Sequence, residues 1–199
     1  MIEITNECNF ELMKRYPDNY FDLAIVDPPY RDENQPTKDM RANGSMKSLE
    51  GRPTKEYFIE LYRVSRNQII WGANNFELPQ FMGFVVYKKK TISENFTMSM
   101  CEIGSLSKDL GTTSKWIEIA PQDPNRIHPT QKPVKLYEWL LINYAKKGHK
   151  ILDTHLGSGS IAIACHNLKF DLTACELDKD YYEASLKRLA QHQAQTVLF

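Results

Sequence analysis

The chain has 199 residues, with 25 Lys and Arg against 25 Asp and Glu, so its formal net charge is zero. That length suits one domain with a sizeable core and is too short for two full domains. Hydrophobic residues make up 42% and charged residues 25%, the composition of an ordinary globular protein. The charge balance excludes a strongly basic nucleic-acid binder at the level of the whole chain.

The N-terminal segment gives no sign of a targeting sequence. Residues 1–16 carry Glu3, Glu7 and Glu11 in place of the basic start and apolar stretch of a signal peptide. No apolar run approaches the length of a membrane span. The four cysteines lack the paired spacing of a structural metal site. We therefore expect a cytoplasmic protein with reduced thiols, no metal and no membrane partner.

Short apolar runs alternate with stretches of helical periodicity, which is typical of an α/β sheet. In chain order, the predicted strands are residues 2–5, 23–26, 68–71, 84–87, 101–106, 116–120, 150–152 and 172–175. Helical periodicity falls around residues 57–62, 137–144, 158–168 and 182–189. Between Tyr30 and Thr54 the chain is rich in Asn, Gly, Pro, Ser and charge, which predicts a mobile loop over residues 31–55.

The most specific motif, Asp27-Pro28-Pro29-Tyr30, directly follows an apolar run at residues 23–26. Ligands of open α/β sheets bind beyond the carboxyl ends of the strands, so the motif lies where chemistry is expected. Proline has no N–H, so Pro28 and Pro29 can only accept hydrogen bonds. With the Asp27 carboxylate they predict an acceptor-only pocket for the amino group of a planar base, and Tyr30 offers a ring for stacking. The alternative is a rigid turn with a buried tyrosine.

A second motif, DTHLGSGS at residues 153–160, follows the predicted strand at 150–152. Its glycines let the backbone pass close to a ligand where a helix begins, and the first N–H groups of that helix favour negative charge. Glu176 comes 23 residues after Asp153, where an α/β nucleotide fold places an acid for ribose hydroxyls. The pattern favours a cofactor site over a purely structural tight turn. The candidate contacts are Asp153, Gly157, Ser158, Gly159, Ser160 and Glu176.

A third segment, HPTQKP at residues 128–133, leads into the helical stretch at 137–144. By itself it is explained as a proline-rich helix start. His155, within the second motif, is explained about as well by packing as by a role as general base.

In this order the three motifs and Glu176 resemble the β-class amino-group DNA methyltransferases with a DPPY motif, above all small phage-like or prophage-like adenine-N6 enzymes. The resemblance spans Ile4 to about Leu189. It implies a Rossmann-like S-adenosylmethionine-dependent methyltransferase fold, permuted so that the catalytic motif precedes the cofactor motif. The implied sheet is mostly parallel and seven-stranded, with one antiparallel strand, in a single domain over residues 1–199.

The resemblance also implies roles for particular residues. The catalytic set would be Asp27, Pro28, Pro29 and Tyr30. Beside the candidate contacts of the second motif, S-adenosyl-L-methionine would meet Thr130, Gln131, Lys132 and Pro133 near its methionine end, and Glu7 near its adenine. Relatives with Asp at the first catalytic position mostly methylate adenine, whereas those with Ser mostly methylate cytosine.

Three departures from the family pattern stand out. Thr154 and His155 replace the usual Pro and Phe, and Tyr87-Lys88-Lys89 replaces an aromatic-Asp-Lys pattern. Only about residues 104–125 are available for a target-recognition region, which is thus reduced or absent. We therefore expect sequence selection that is short, loose or supplied by a partner, either a second copy in a homodimer or a specificity protein.

The leading expectation is methyl transfer to adenine N6 in double-stranded DNA, by base flipping and direct in-line transfer, in a bacterial or phage-infected cell. Cytosine N4, an RNA base or a protein amide are alternative acceptors. A non-catalytic nucleic-acid-binding subunit is the alternative from another class. An NAD-dependent oxidoreductase fits less well, because the turn lacks the third glycine of the dinucleotide fingerprint.

Overall fold

The computed structural model of the chain describes residues 1–30, 33–34, 49–97, 99–120 and 126–196. The strands in these ranges are β1 (Ile2–Thr5), β2 (Leu23–Val26), β3 (Glu33–Asn34), β4 (Leu49–Glu50), β5 (Gln68–Trp71), β6 (Gly83–Lys89), β7 (Cys101–Leu106), β8 (Lys115–Ile119), β9 (Lys150–Asp153) and β10 (Asp171–Cys175). The helices are α1 (Asn9–Lys14), α2 (Lys55–Val64), α3 (Val134–Tyr144), α4 (Ser160–Leu168) and α5 (Lys179–Thr196). Short 3-10 turns cover Ala73–Asn75 and Lys108–Leu110.

Eight of the described strands form one sheet, in the order β1-β10-β9-β2-β5-β7-β6-β8. β7 runs antiparallel to β5 and β6, and every other neighbouring pair in this sheet is parallel. The predicted α/β class with a mostly parallel sheet is confirmed. The seven strands that the resemblance implied are wrong by one, because β8 pairs with β6 and extends the sheet at its edge.

The central strands are buried on both faces. Along β2, Leu23 and Ile25 point into one hydrophobic cluster, and Ala24 and Val26 into the other. The first cluster is completed by α3 and α4, and the second by α1 and α2. A parallel sheet covered by helices on both sides explains why these strands have continuous apolar sequences.

Two of the expected connecting segments are described only in part. Within the loop expected over 31–55, β3 and β4 pair antiparallel and α2 begins at Lys55, while residues 31–32 and 35–48 lie outside the described residues. Within the recognition region expected over 104–125, most of the described chain belongs to β7, a 3-10 turn and β8. Residues 121–125 lie outside the described part of the chain.

The candidate motifs meet at one edge of the sheet. Since β2, β5, β6, β9 and β10 all run in the same direction, their carboxyl ends lie along that edge. The segments that follow β2, β9 and β10 carry the DPPY motif, the DTHLGSGS turn and Glu176. None of the helices in the described ranges combines the length and apolar character that a bilayer span requires.

Candidate active site

The two main motifs lie side by side although more than a hundred residues separate them in the chain. β2 and β9 are neighbours in the sheet, with Leu23 opposite Ile151 and Ala24 opposite Leu152. The turns that leave these strands therefore start next to each other, and β10 brings Glu176 to the far side of β9. The fold thus assembles one cleft from the segments that sequence reasoning singled out.

The Asp27 carboxylate is the centre of the candidate catalytic part of this cleft. Its Oδ1 accepts a hydrogen bond from the Tyr30 hydroxyl at 2.8 Å, and its Oδ2 accepts one from the Lys132 ammonium. Burial raises the pKa of the Asp27 carboxyl above its ordinary value, although the Lys132 charge opposes that rise. A buried carboxylate with lone pairs to spare is a strong acceptor for an amino group.

The Tyr30 ring is packed closely against backbone. A Cβ on Gly72 would lie 2.1 Å from Tyr30 Cε1, so the ring occupies the space that only a glycine leaves open. The Phe76 ring approaches the Tyr30 ring edge-on, with 6.0 Å between centroids. The Tyr30 hydroxyl also donates to Glu102 Oε2 at 3.2 Å. Tyr30 is therefore held in one orientation beside Asp27.

Lys132 lies beside Asp27. Its ammonium lies between the carboxylates of Asp27 and Glu102, 2.9 Å from Glu102 Oε2, and the expected contact of Lys132 with the methionine end of a cofactor stays a prediction. Burial alone would lower the pKa of the Lys132 ammonium, and the two carboxylates outweigh burial and raise it. Lys132 is thus a charged partner of the Asp27 carboxylate.

The candidate cofactor part of the cleft is built on Asp153 and Glu176. Asp153 is 2% exposed, and its Oδ1 accepts a hydrogen bond from the His155 backbone N–H at 2.9 Å. Glu176 accepts from the backbone N–H groups of Gly157 at 2.8 Å and Asp178 at 2.9 Å. Burial raises the pKa of both carboxyl groups, that of Asp153 to about 8.

The glycine turn adopts the conformation that its sequence predicts, but its serines have another use. Gly157 and Gly159 have φ of 54° and 71°, a region that side chains strongly disfavour. The Ser158 and Ser160 hydroxyls lie 3.1 Å apart and are buried, and Arg188 of α5 donates to Ser160 Oγ at 2.9 Å. These hydroxyls bind protein groups and hold the turn in place, and the expected contacts of both serines with a cofactor stay predictions.

The 128–133 segment connects the two parts of the cleft. The His128 ring packs edge-on against Tyr181, with centroids 4.4 Å apart, and borders the Gly157 position. Thr130 Oγ1 lies 3.2 Å from His128 Nδ1, and Gln131 Oε1 accepts from a backbone N–H at 3.1 Å. Pro133 caps the start of α3. Burial lowers the pKa of His128 to about 4, so its ring is neutral at pH 7.

Glu7 lies after β1, next to the strand that leads to Glu176. Its carboxylate forms a salt bridge with both guanidinium nitrogens of Arg15, at 2.7 Å for Nη2, and accepts a hydrogen bond from Thr5. The Arg15 hydrogen bond lowers the pKa of Glu7. The expected contact of Glu7 with a cofactor adenine therefore stays a prediction.

The replacements Thr154 and His155 form a polar cluster with residues that sequence analysis missed. Tyr57 Oη lies 2.7 Å from Thr154 Oγ1, which lies 3.0 Å from His155 Nδ1. Asn9 Nδ2 lies 3.3 Å from His155 Nε2. Burial lowers the pKa of His155 to about 4. This neutral, hydrogen-bonded ring occupies the place of the family's phenylalanine, and it makes a general-base role for His155 the weaker of the two earlier interpretations.

Glu102 and Lys89 are the other site residues that the sequence did not reveal. Lys89 Nζ lies 2.7 Å from Glu102 Oε1, and Glu102 also contacts Lys132. The available signal was weak: Glu102 is an acid inside a strand otherwise made of small and apolar residues, and Lys89 ends the strand that departs from the family pattern. Their pairing depends on the antiparallel register of β6 and β7.

The fold and the cleft together define a Rossmann-like α/β protein of the methyltransferase class, with an acceptor pocket beside a glycine turn. A family model described as DNA methylase, of the N6 and N4 type, matches residues 85–187. Since this is more than half of the chain, the protein belongs to the N6/N4 DNA methylase family. The expected family is confirmed.

Comparisons over the full chain agree with this family. YubD of Escherichia coli (strain K12), which carries the name of a methylase, is 26% identical over 219 residues that cover 96% of this chain and 90% of YubD. The structure of the M1.HpyAVI–SAM complex matches with a TM-score of 0.63 at 20% identity, covering 94% of this chain and all of that one. The cytosine-N4-specific PvuII DNA methyltransferase matches with a TM-score of 0.65 at 11% identity, covering 96% and 90%. These structural matches show that the fold is shared.

Proposed function

We propose that the protein transfers a methyl group from S-adenosyl-L-methionine to the N6 amino group of adenine in double-stranded DNA. The observation that carries this proposal is the acceptor pocket at the end of β2. There the Asp27 carboxylate is partly buried, held by two donors, and followed by two prolines whose backbone cannot donate. A group with two N–H donors and a planar ring is the complement of such a pocket.

The cofactor fits the second half of the cleft. The Glu176 carboxylate accepts one backbone hydrogen bond on each oxygen, which leaves lone pairs for ribose hydroxyls. The Gly157 backbone N–H is bound to Glu176 Oε2, and Asp153 supplies a buried carboxyl group in the same segment. When bound, S-adenosyl-L-methionine supplies an electrophilic methyl group on its sulfonium.

The chain's own residues would act by holding the base. A flipped adenine would stack on Tyr30, a contact worth roughly 1 to 3 kcal/mol per base. Asp27 and the Pro28 carbonyl would each accept one amino proton, which moves the nitrogen lone pair out of conjugation with the ring. Positioning and charge complementarity would then supply most of the rate enhancement, without a covalent enzyme intermediate.

The choice of adenine rests on the aspartate at the first motif position, which accompanies adenine targets in the family that the motifs resemble. Methyl transfer to unmethylated duplex DNA, followed by nucleoside analysis, tests this choice. We expect N6-methyladenine as the product. N4-methylcytosine would contradict the adenine assignment while leaving the family intact, and methylation of RNA alone would contradict DNA as the substrate.

The Asp27→Ala variant tests the catalytic site itself. Because Asp27 supplies the side-chain acceptor, we expect transfer to fall below about one-thousandth of the wild-type rate, a loss of about 4 kcal/mol of transition-state stabilisation. Binding of S-adenosyl-L-methionine, measured by calorimetry, should stay within about twofold and serves as the control for folding. Turnover retained by this variant would contradict the assignment.

Sequence selection would require help from outside the described chain segment. Since the described residues around β7 and β8 belong to the central sheet, we propose that a second copy or a separate specificity protein contributes to target recognition. Sedimentation with and without a DNA duplex distinguishes a dimer from a monomer that needs a separate specificity protein. We place this activity in the cytoplasm of a bacterial or phage-infected cell, where the DNA substrate lies.

A further inference from the structure

A cluster of charged side chains lies next to Asp27, and the transfer reaction proposed above does not use all of it. The Lys132 side chain is 4% exposed, that of Lys89 is 12% and that of Glu102 is 17%. Removing charges from water is unfavourable unless each one is paired. The cost of burying these charges suggests that the cluster has a function beyond packing.

Glu102 occupies the centre of this cluster. Its Oε2 lies 2.9 Å from the Lys132 ammonium and 3.2 Å from the Tyr30 hydroxyl, and these are the same two groups that hold Asp27. Its Oε1 lies 2.7 Å from the Lys89 ammonium. Two carboxylates and two ammonium groups leave the cluster formally neutral.

The sharing of Lys132 matters for the acceptor strength of Asp27. A carboxylate has about four lone-pair sites, and the Tyr30 hydroxyl and Lys132 ammonium occupy two of those on Asp27. An ammonium that belonged to Asp27 alone would withdraw more charge from its oxygens. Because Glu102 takes part of this interaction, Asp27 keeps capacity for an incoming amino group.

We propose that Glu102 is a positioning residue for amino-group methylation. Its carboxylate shares the Lys132 ammonium with Asp27 and helps to fix the position of the Tyr30 hydroxyl. Lys89 neutralises Glu102 and so allows a second acid to lie beside Asp27. The inference rests on the proposed function, since it gives Asp27 the role of acceptor. It assigns a task to a strand residue that belongs to none of the sequence motifs.

The electrostatic surroundings of Asp27 fix the sign of the expected effects. Burial raises the pKa of the Asp27 carboxyl, the Lys132 charge lowers it, and the Glu102 charge raises it. The titratable groups that face Asp27 come from β7, β9, α3, the segment before α3 and its own loop: Glu102, Asp153, Tyr137, Lys132 and Tyr30. Glu102→Gln should therefore lower the pKa of Asp27, and Lys132→Met should raise it.

Carbon-13 NMR of aspartate carboxyl groups in the free protein tests these shifts without turnover, with the Asp27 signal identified by its loss in Asp27→Asn. We expect its midpoint to fall by about one pH unit in Glu102→Gln and to rise by about one or more in Lys132→Met. The matched control is Glu118→Gln on β8. Glu118 lies outside this cluster, and its carboxylate pairs with the Lys88 ammonium at 3.2 Å. This variant should leave the Asp27 midpoint unchanged. A midpoint that moves in neither variant would overturn the inference.

Single-turnover methylation supplies the second readout. We expect Glu102→Gln to reduce the rate at least tenfold with an unchanged dissociation constant for S-adenosyl-L-methionine. The same variant should shift the acid limb of the pH–rate profile to lower pH. Glu102→Asp should recover part of the rate. If Lys132→Met does not fold, the two Glu102 variants still decide the matter. A wild-type protein without transferase activity would refute the proposed function, whereas an active enzyme whose acid limb ignores Glu102 would refute this inference alone.

Discussion

Asp153 shows how a single residue of the cleft can lower the stability of the whole protein. It is almost fully buried and accepts a hydrogen bond from one backbone N–H, and burial raises its pKa to about 8. The folded protein therefore holds a proton up to about pH 8 that the unfolded chain releases near pH 4. Because the folded state binds more protons in that interval, the free energy of unfolding falls as pH rises through it.

Asp153→Asn should remove this dependence, since asparagine has the shape of the protonated acid and no proton to lose. We expect similar free energies of unfolding at pH 5 and a more stable variant at pH 8, by on the order of 3 kcal/mol. Urea denaturation at the two pH values measures the difference. Affinity for S-adenosyl-L-methionine should fall in the same variant above about pH 8, where only the wild type carries a carboxylate at the proposed cofactor site.

Asp109→Asn serves as the control for this comparison, because Asp109 is exposed on a 3-10 turn. It should follow the wild-type pH dependence.

The depressed pKa values of His128 and His155 make the free energy of unfolding rise between about pH 4 and 6.5. Both histidines are present in every variant, so their contribution cancels. Equal slopes for the wild type and Asp153→Asn would contradict the burial argument.

The residues that sequence analysis found and missed differ in how their contacts are specified. Asp27 and Glu176 directly follow strands, and the carboxyl ends of parallel strands share one edge, so their placement at that edge was predictable. Glu102 and Lys89 meet through the register of β6 and β7, with Tyr87 opposite Glu102. Strand register depends on the packing of the whole sheet and on the connecting loop, so it cannot be predicted from inspection of a single sequence.

At the scale of elements, the turn after β5 shapes the catalytic pocket. Gly72 has a φ of 69°, and a side chain there would collide with the Tyr30 ring. Gly72→Ala should both displace the Tyr30 ring and strain the backbone at residue 72. We expect the methylation rate to fall at least tenfold and stability to fall by about 1 to 3 kcal/mol. Single-turnover rates and urea denaturation measure the two effects.

Gly148→Ala provides a matched comparison for Gly72→Ala. Gly148 has a φ of 88°, and a Cβ there would meet no atom within 4 Å. It therefore reproduces the backbone strain without the clash, and should lose about 1 kcal/mol of stability with an unchanged methylation rate. Equal rates for the two variants would show that Tyr30 does not depend on Gly72 for its position.

Elements with a clear pattern were predictable, and short or irregular ones were not. The strands at residues 23–26 and 68–71 have the predicted bounds because they are mostly apolar and end at turn residues. α1 was missed because six residues with two buried positions give no visible period. The helix expected from Ser158 begins at Ser160, since Gly159 is left-handed and ends the turn.

At the scale of the whole molecule, DNA must approach a protein with no net charge. Lys88 and Lys90 are exposed at the end of β6, on the same edge as Asp27, whereas Lys146 and Lys147 are exposed before β9, at the opposite edge. Removing Lys88 and Lys90 together should weaken binding to any duplex and reduce the slope of log affinity against log salt by about 2. Fluorescence anisotropy over a series of salt concentrations measures this slope.

The corresponding Lys146→Ala/Lys147→Ala variant carries the same charge change on the other side of the sheet. It should bind duplex DNA with the wild-type slope. If both double variants lose the same affinity, DNA does not approach along the edge that holds the cleft. Composition alone did not indicate a binding face, because the zero balance of the whole chain hides how the lysines are distributed.

The adjacency of β2 and β9 also has a consequence for synthesis on the ribosome. The strand that carries Asp27 pairs on one side with residues 150–153, which are translated more than a hundred residues later. At a translation rate of about 5 to 20 residues per second, the early strand waits roughly 6 to 25 s for that partner. During this interval its apolar edge is exposed, so a nascent chain of this protein should depend on chaperones that bind unpaired strands until β9 emerges.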